Sequence, residues 1–198
     1  MKKLMMMSGA MLAMAAIALV GCGSEAGADK PAASNKPVAA TTEAPAQNVR
    51  TPEKNDRMAE DSAEGLASFT YYYFDAKNYA VQTGDADLMR AVAAECTGCM
   101  EEADALEAVY ADGGWIAGGQ PKALNVVALD KAKDDEGNRS AVVPFMEDAR
   151  TTLDKDGQTV ETKEWDLDGT TLTVTANYAD GAWSMVSVEE TPDAEIPE

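Results

Sequence analysis

Histidine does not occur anywhere in the 198 residues. That absence removes the Ser-His-Asp and Cys-His nucleophile systems and every His-ligated metal site. Basic residues are scarce: 16 Lys and Arg stand against 35 Asp and Glu, a formal net charge of −19. Binding to phosphate needs clustered Lys and Arg, so nucleic acid is excluded as a partner. Adsorption to an anionic membrane surface is disfavoured for the same reason. No long apolar run is available to span a bilayer. The apolar stretch Leu4 to Val20 carries no charge and falls just short of the ~20 residues a span requires, so it is marginal as one.

That stretch follows Met1-Lys2-Lys3, a short basic start, and fits the apolar region of a secretory signal. It closes on Leu19-Val20-Gly21-Cys22, which resembles the bacterial lipobox. The resemblance implies cleavage between Gly21 and Cys22 and a diacylglyceryl thioether on Cys22. Two acyl chains anchor stably where one does not. The expected location is the outer face of the cell membrane, with the lipid anchor as the first partner.

Four segments are expected. Residues 1–21 are the signal, and 22–55 are the lipidated Cys with a disordered tether. Residues 56–188 form one α+β domain, and 189–198 a loose acidic tail. The tether holds Pro31, Pro37, Pro45 and Pro52, with Val38 and Val49 as its only apolar residues larger than Ala. Such composition buries too little surface to offset chain entropy.

Within the domain the first half has helical spacing. Leu66, Phe69, Tyr73, Ala76 and Ala80 form one stripe, ended by Thr83-Gly84-Asp85. Asp85 can cap a second helix through Leu88 and Val92. A third runs through Cys99, Ala103, Leu106 and Tyr110 to Asp112-Gly113-Gly114, with Glu101 and Glu102 in its first turn. The second half switches to period two: Leu172, Val174, Ala176 and Tyr178 alternate with polar residues. Asp168-Gly169 and Asp180-Gly181 are hairpin turns on either side. Thr159 to Leu167 and Ala182 to Val188 are the expected partners of this strand. Lys122 to Lys131 and Arg139 to Glu147 are earlier strands, and Pro144 puts the latter at an edge or bulge.

Helices first and an antiparallel sheet second is an α+β order. It resembles the cone-shaped nuclear-transport-factor-2-like fold, in which three helices pack into a curved, mostly antiparallel sheet with a pocket at its open end. Tyr72-Tyr73 with Asn78-Tyr79-Ala80, Cys96-Thr97-Gly98-Cys99, and Tyr110 with Gly113-Gly114 resemble an uncharacterised family of actinobacterial lipoproteins. The resemblance implies a fold and an address. It implies no catalytic residues.

Cys96 and Cys99 have the C-x-x-C spacing of a redox or zinc site. With Cys22 acylated and histidine absent, the zinc ligand count fails. A redox site wants the motif after a strand, and here it lies between helices. A structural disulfide in an oxidising compartment is therefore expected, pinning the second helix to the third. Asp134-Asp135-Glu136, Asp154-x-Asp156-Gly157 and Asp166-x-Asp168-Gly169 lack the rest of a calcium loop and are expected to be turns. Neither metal nor cofactor is expected.

A pocket is expected near Tyr72, Tyr79 and Trp115, with Trp165 or Trp183 among the inward residues and Trp115 free to swing over the mouth after two glycines. The expected function is a non-catalytic binding or interaction module, its ligand an unidentified small molecule or protein. The alternatives are an isomerase- or dehydratase-like enzyme with a pocket carboxylate such as Asp75, or a purely structural envelope protein. A buried carboxylate inside the cone distinguishes them.

Overall fold

The helical stripe forms one long helix, α1 (Ala63–Thr83), in the computed structural model, which describes residues 35–129, 133–164 and 170–191. Ser62 caps α1, its hydroxyl accepting from the Gly65 amide at 3.1 Å. This answers one of the donors that a helix start leaves open. Gly84 ends α1 at φ 74°, and the Tyr110 ring lies 2.3 Å from where a Cβ would stand. Backbone and neighbour both demand glycine there.

Next come α2 (Asp87–Ala93) and α3 (Thr97–Ala111). Asp85 accepts from the Asp87 amide at 3.1 Å, ahead of α2 as expected. The start of α3 is earlier than expected because Cys96 caps it, its Sγ accepting from the Cys99 amide at 3.2 Å. Glu101 and Glu102 therefore lie beyond the first turn. Glu102 pairs instead with Lys77 of α1 at 2.9 Å.

The strands are β1 (Trp115–Gly118), β2 (Pro121–Ala123), β3 (Val127–Ala128), β4 (Asn138–Glu147), β5 (Arg150–Leu153), β6 (Thr159–Lys163), β7 (Thr170–Ala179) and β8 (Ala182–Glu190). One antiparallel sheet is ordered β2-β4-β7-β8, with β3 also on β4. A second is ordered β1-β5-β6. The result is the expected α+β class, three helices with a strongly curled antiparallel sheet. Ala141, Val143 and Phe145 of β4, Leu172, Val174 and Ala176 of β7, and Trp183 and Met185 of β8 share the core with the α1 stripe. A register shift between Thr175 and Ala176 against β8 adds to the curl.

Four expectations are corrected. The first concerns Thr159 to Leu167, expected beside β7. Its described part is β6, which pairs with β5 through the turn at Asp154, while β7 lies between β4 and β8. The second concerns the strand expected at Lys122 to Lys131, which is broken into β2 and β3. The break faces Pro144, whose carbonyl accepts from the Leu124 amide at 2.9 Å but which has no N–H to return. Pro144 thus sits inside the sheet, beside a gap in its neighbour. The third is an omission: β1 and β5 are four residues each, too short to show alternation, and β1 lies among glycines, after Gly113-Gly114 and ending at Gly118 before Gly119.

The last concerns the tether. From residue 35 the chain is folded against the domain. Val38 and Gln47 form an antiparallel bridge, and Ala40 packs on Trp115, Ala117 and Leu153. The Lys54 ammonium lies 5.7 Å from the centre of the Tyr72 ring. Too poor in large apolar residues to make a core of its own, this strap shares one. Residues 22–34 lie outside the described chain. At the other end β8 continues to Glu190, and the Thr191 amide donates to Thr171 at 2.8 Å, so only 192–198 of the expected tail is not described.

Candidate functional site

Alternation along β4 turns Ala141, Val143 and Phe145 inward, and the next inward position is Glu147. Its side chain is therefore carried to the core face, where the residue is 6% exposed. Here the curl opens away from α1 and α3 and leaves a cavity of about 250 Å³. Tyr73, Phe145, Leu172 and Val188 form its apolar surface. Lys77, Glu102, Glu147, Arg150, Lys163 and Glu190 supply its charges, and Gly98 and Cys99 its edge on α3.

Lys77 is held between Glu102, at 2.9 Å, and the Phe145 ring, 5.9 Å from its centre. Arg150 and Lys163 stand directly opposite each other on β5 and β6. Glu147 has no hydrogen-bond or ion-pair partner among the described residues. Burial raises its carboxyl above the ordinary range, against the pull of Lys77 and Arg150, which favour the charged form. Burial also pushes the Tyr73 hydroxyl far up, and the Glu102 charge adds to this. Such a cavity can receive a ligand donor on Glu147. No three His, Cys, Asp or Glu side chains among the described residues gather as a metal-binding group.

A larger hollow of about 430 Å³ lies between the end of α3 and β5, lined by Val109, Leu153 and Val160 among others. Its Asp154 is already engaged, accepting from the Asp156 and Gln158 amides at 2.9 Å in the expected turn. It offers no buried polar group for recognition. Asp134 makes the corresponding turn with Glu136 and Asn138. The Asp166-Asp168 segment lies outside the described residues.

A family of unknown function (DUF6318) matches residues 35–189. The chain belongs to that family. The match covers the strap as well as the helices and sheets. No curated protein matches the chain in sequence. Among solved structures, the chain is similar to the intermembrane space region of the chloroplast protein ARC6. The TM-score is 0.48 and the identity 11%, over 68% of this chain and 99% of that one.

Cys96 and Cys99 are disulfide-bonded, with their Cα atoms 5.2 Å apart. The four aromatic residues expected at a pocket stand in four settings instead. Tyr72 is buried beneath Lys54. Tyr79 is half-buried in a shallow groove with residues 49–52, Asn78, Gln82 and the exposed Asp75. Trp115 does not swing over a mouth: its ring is 8% exposed and its Nε1 donates to the Thr41 carbonyl. Trp183 is a core ring, stacked on Phe69 at 6.3 Å, with its Nε1 donating to Glu60. Gly21, Cys22 and Trp165 lie outside the described residues. The residue missed from sequence is Glu147. Its period-two phase with Val143 and Phe145 was the available signal.

Proposed function

We propose that this DUF6318 chain is a lipoprotein of the actinobacterial kind, anchored through Cys22 at the outer face of the cell membrane. Its nuclear-transport-factor-2-like domain is a non-catalytic binding module that takes a small ligand in the cavity beside Glu147. One observation carries this reading: at the open end of the sheet Glu147, only 6% exposed, faces the cavity with no hydrogen-bond or ion-pair partner among the described residues. Burying an unpaired carboxylate costs stability, and such a cost is retained where a ligand completes the site. The volume suits a small ligand, being at the lower end for such sites.

Glu147→Leu tests it, because a residue kept for binding is replaceable without loss of fold. The thermal midpoint should rise by about 5 °C. A fall would make Glu147 structural and remove the reading. Cys22→Ala tests the anchor: the variant should remain uncut and take up no fatty-acid label, and unchanged labelling would refute the anchor.

A second reading is an enzyme in which Glu147 transfers a proton, Tyr73 standing beside the same cavity. It is favoured by the raised Glu147 carboxyl, which suits general acid–base work. Recovery of a bound ligand chemically unchanged after prolonged incubation supports the binding module. Conversion lost in Glu147→Gln supports the enzyme.

A further inference from the structure

We infer that the cavity takes a small neutral molecule with an apolar body and a primary-amide head, the head donating to the Glu147 carboxylate and accepting from the Tyr73 hydroxyl. This rests on the reading of that cavity as a binding site and adds the chemistry of the ligand.

The charges of the lining are already answered within the protein. Three cations stand with three carboxylates, so the cavity has no net charge for a ligand to neutralise. Lys77 and Glu102 pair at 2.9 Å. Lys163 has a partner of its own. Lys77, Arg150 and Lys163 all act on Glu147 and favour its charged form. An anionic ligand would be set against Glu147. A cationic one would be set against the three cations around it.

What Glu147 lacks is a hydrogen bond. Attraction over a distance supplies no donor, and a buried carboxylate oxygen without one has given up water with no replacement. Tyr73 is in the same position. It is 1% exposed, and its hydroxyl has no hydrogen-bond partner among the described residues. The Thr70 hydroxyl is sealed within the core, but that of Tyr73 is not, and Tyr73 lines the cavity. Burial keeps this phenol protonated, so it stands ready as a donor.

The two groups come from α1 and β4, and the Glu102 charge acts on both. One accepts and the other donates. A primary amide carries the complementary pair, an N–H donor and a carbonyl acceptor, on two atoms of one plane. It can therefore meet two groups held on different elements. Phe145, Leu172 and Val188 give the body of the ligand an apolar wall.

The detergent-solubilised full chain should be titrated calorimetrically with four molecules of nearly one shape: benzamide, benzoate, benzamidine and acetophenone. Benzoate and benzamidine carry a charge, and acetophenone keeps the acceptor without the donor. Benzamide should bind at least about tenfold more tightly than each of the other three, the difference expected for one hydrogen bond to a charged group. Glu147→Leu should weaken benzamide by about tenfold or more and leave acetophenone unchanged. Tyr73→Phe should weaken benzamide and acetophenone alike.

Benzoate or benzamidine binding as tightly as benzamide overturns the neutral head. Acetophenone binding as tightly overturns the bond to Glu147, and no heat from any of the four overturns the ligand class. The stability of Glu147→Leu separates the two levels. If that variant is stabilised and benzamide fails to bind the parent, the site stands and the ligand class falls. If it is destabilised, the site itself falls.

Discussion

The indole Nε1 of Trp115 donates to the carbonyl oxygen of Thr41 across 2.8 Å, joining residues 74 positions apart. Trp115 opens the first strand, and Thr41 lies in a segment whose composition reads as a tether. Ala40 beside it rests on the same small cluster of Trp115, Ala117 and Leu153. A proline-rich segment loses less chain entropy on ordering than a flexible one, so a modest set of contacts holds it, this indole, the bridge of Val38 with Gln47 and the Ala40 packing among them.

Removing the donor while keeping the ring should loosen the strap alone. Trp115→Phe is expected to cost about 1 kcal/mol, the worth of one hydrogen bond. Protease should then cut within residues 35–48 faster, leaving the rest of the chain intact. An unchanged cleavage rate would mean that the bridge of Val38 with Gln47 holds the segment without Trp115.

Stability should depend on pH through Glu147. Its folded carboxyl is raised above the usual value of 4.5, so the folded state binds the proton more tightly than the unfolded one. The groups facing it are Lys77, Arg150 and Lys163, which oppose that shift, and Glu102, which adds to it. The contribution is fully present below about pH 4.5 and is lost as pH rises through the folded value. The advantage of Glu147→Gln over the parent should therefore be largest at neutral pH and shrink in acid. Parallel denaturation curves across pH 4 to 7 are the check. A gap that widens in acid contradicts it.

The disulfide has two duties that substitution can separate. Its loop is short, so the bond itself stabilises by about 2 kcal/mol. Cys96 also caps α3 through its sulfur. Cys96→Ser with Cys99→Ser keeps a capping oxygen, whereas Cys96→Ala with Cys99→Ala keeps none. The alanine pair should be less stable by a further ~1 kcal/mol in urea denaturation. Equal loss in both would show that the cap contributes nothing.

Thr70 is fully buried, and its Oγ1 is without a hydrogen-bond partner among the described residues. Val has the same shape and no hydroxyl to desolvate. Thr70→Val should raise stability by about 1 kcal/mol. A decrease would indicate that the hydroxyl has found a partner in solution.

The helical layer was legible because its signals are local. Leu66, Phe69 and Tyr73 share one face at 3.6 residues per turn, and Gly84 punctuates the end where the chain needs positive φ. The long strands β4, β7 and β8 were legible from alternation. The strap was not, since its contacts come from Trp115, far along the chain, and its own composition says only that it cannot fold alone. Gly113 and Gly114 before Trp115 suggest a mobile ring, but those glycines serve a close approach: a Cβ at Gly114 would stand 2.3 Å from the Leu153 carbonyl. In the sequence Glu147 is a strand end. Only the sheet's curl shows that this end turns into the molecule.

Tyr110 joins parts that burial alone would leave loosely associated. Its ring covers Gly84 at the end of α1. Its hydroxyl donates to Val81 at 2.6 Å and accepts from the Ile116 amide at 3.4 Å. Among the described residues the three-stranded sheet has Trp115, Ala117 and Leu153 as its separate buried cluster, too little to persist by itself. The phenol ties that sheet to the last turn of the long helix. The two regions should consequently open as one cooperative unit: in hydrogen exchange the amide protons of β1 and of the end of α1 are expected to share one free energy, and β1 exchanging well ahead of α1 would contradict it.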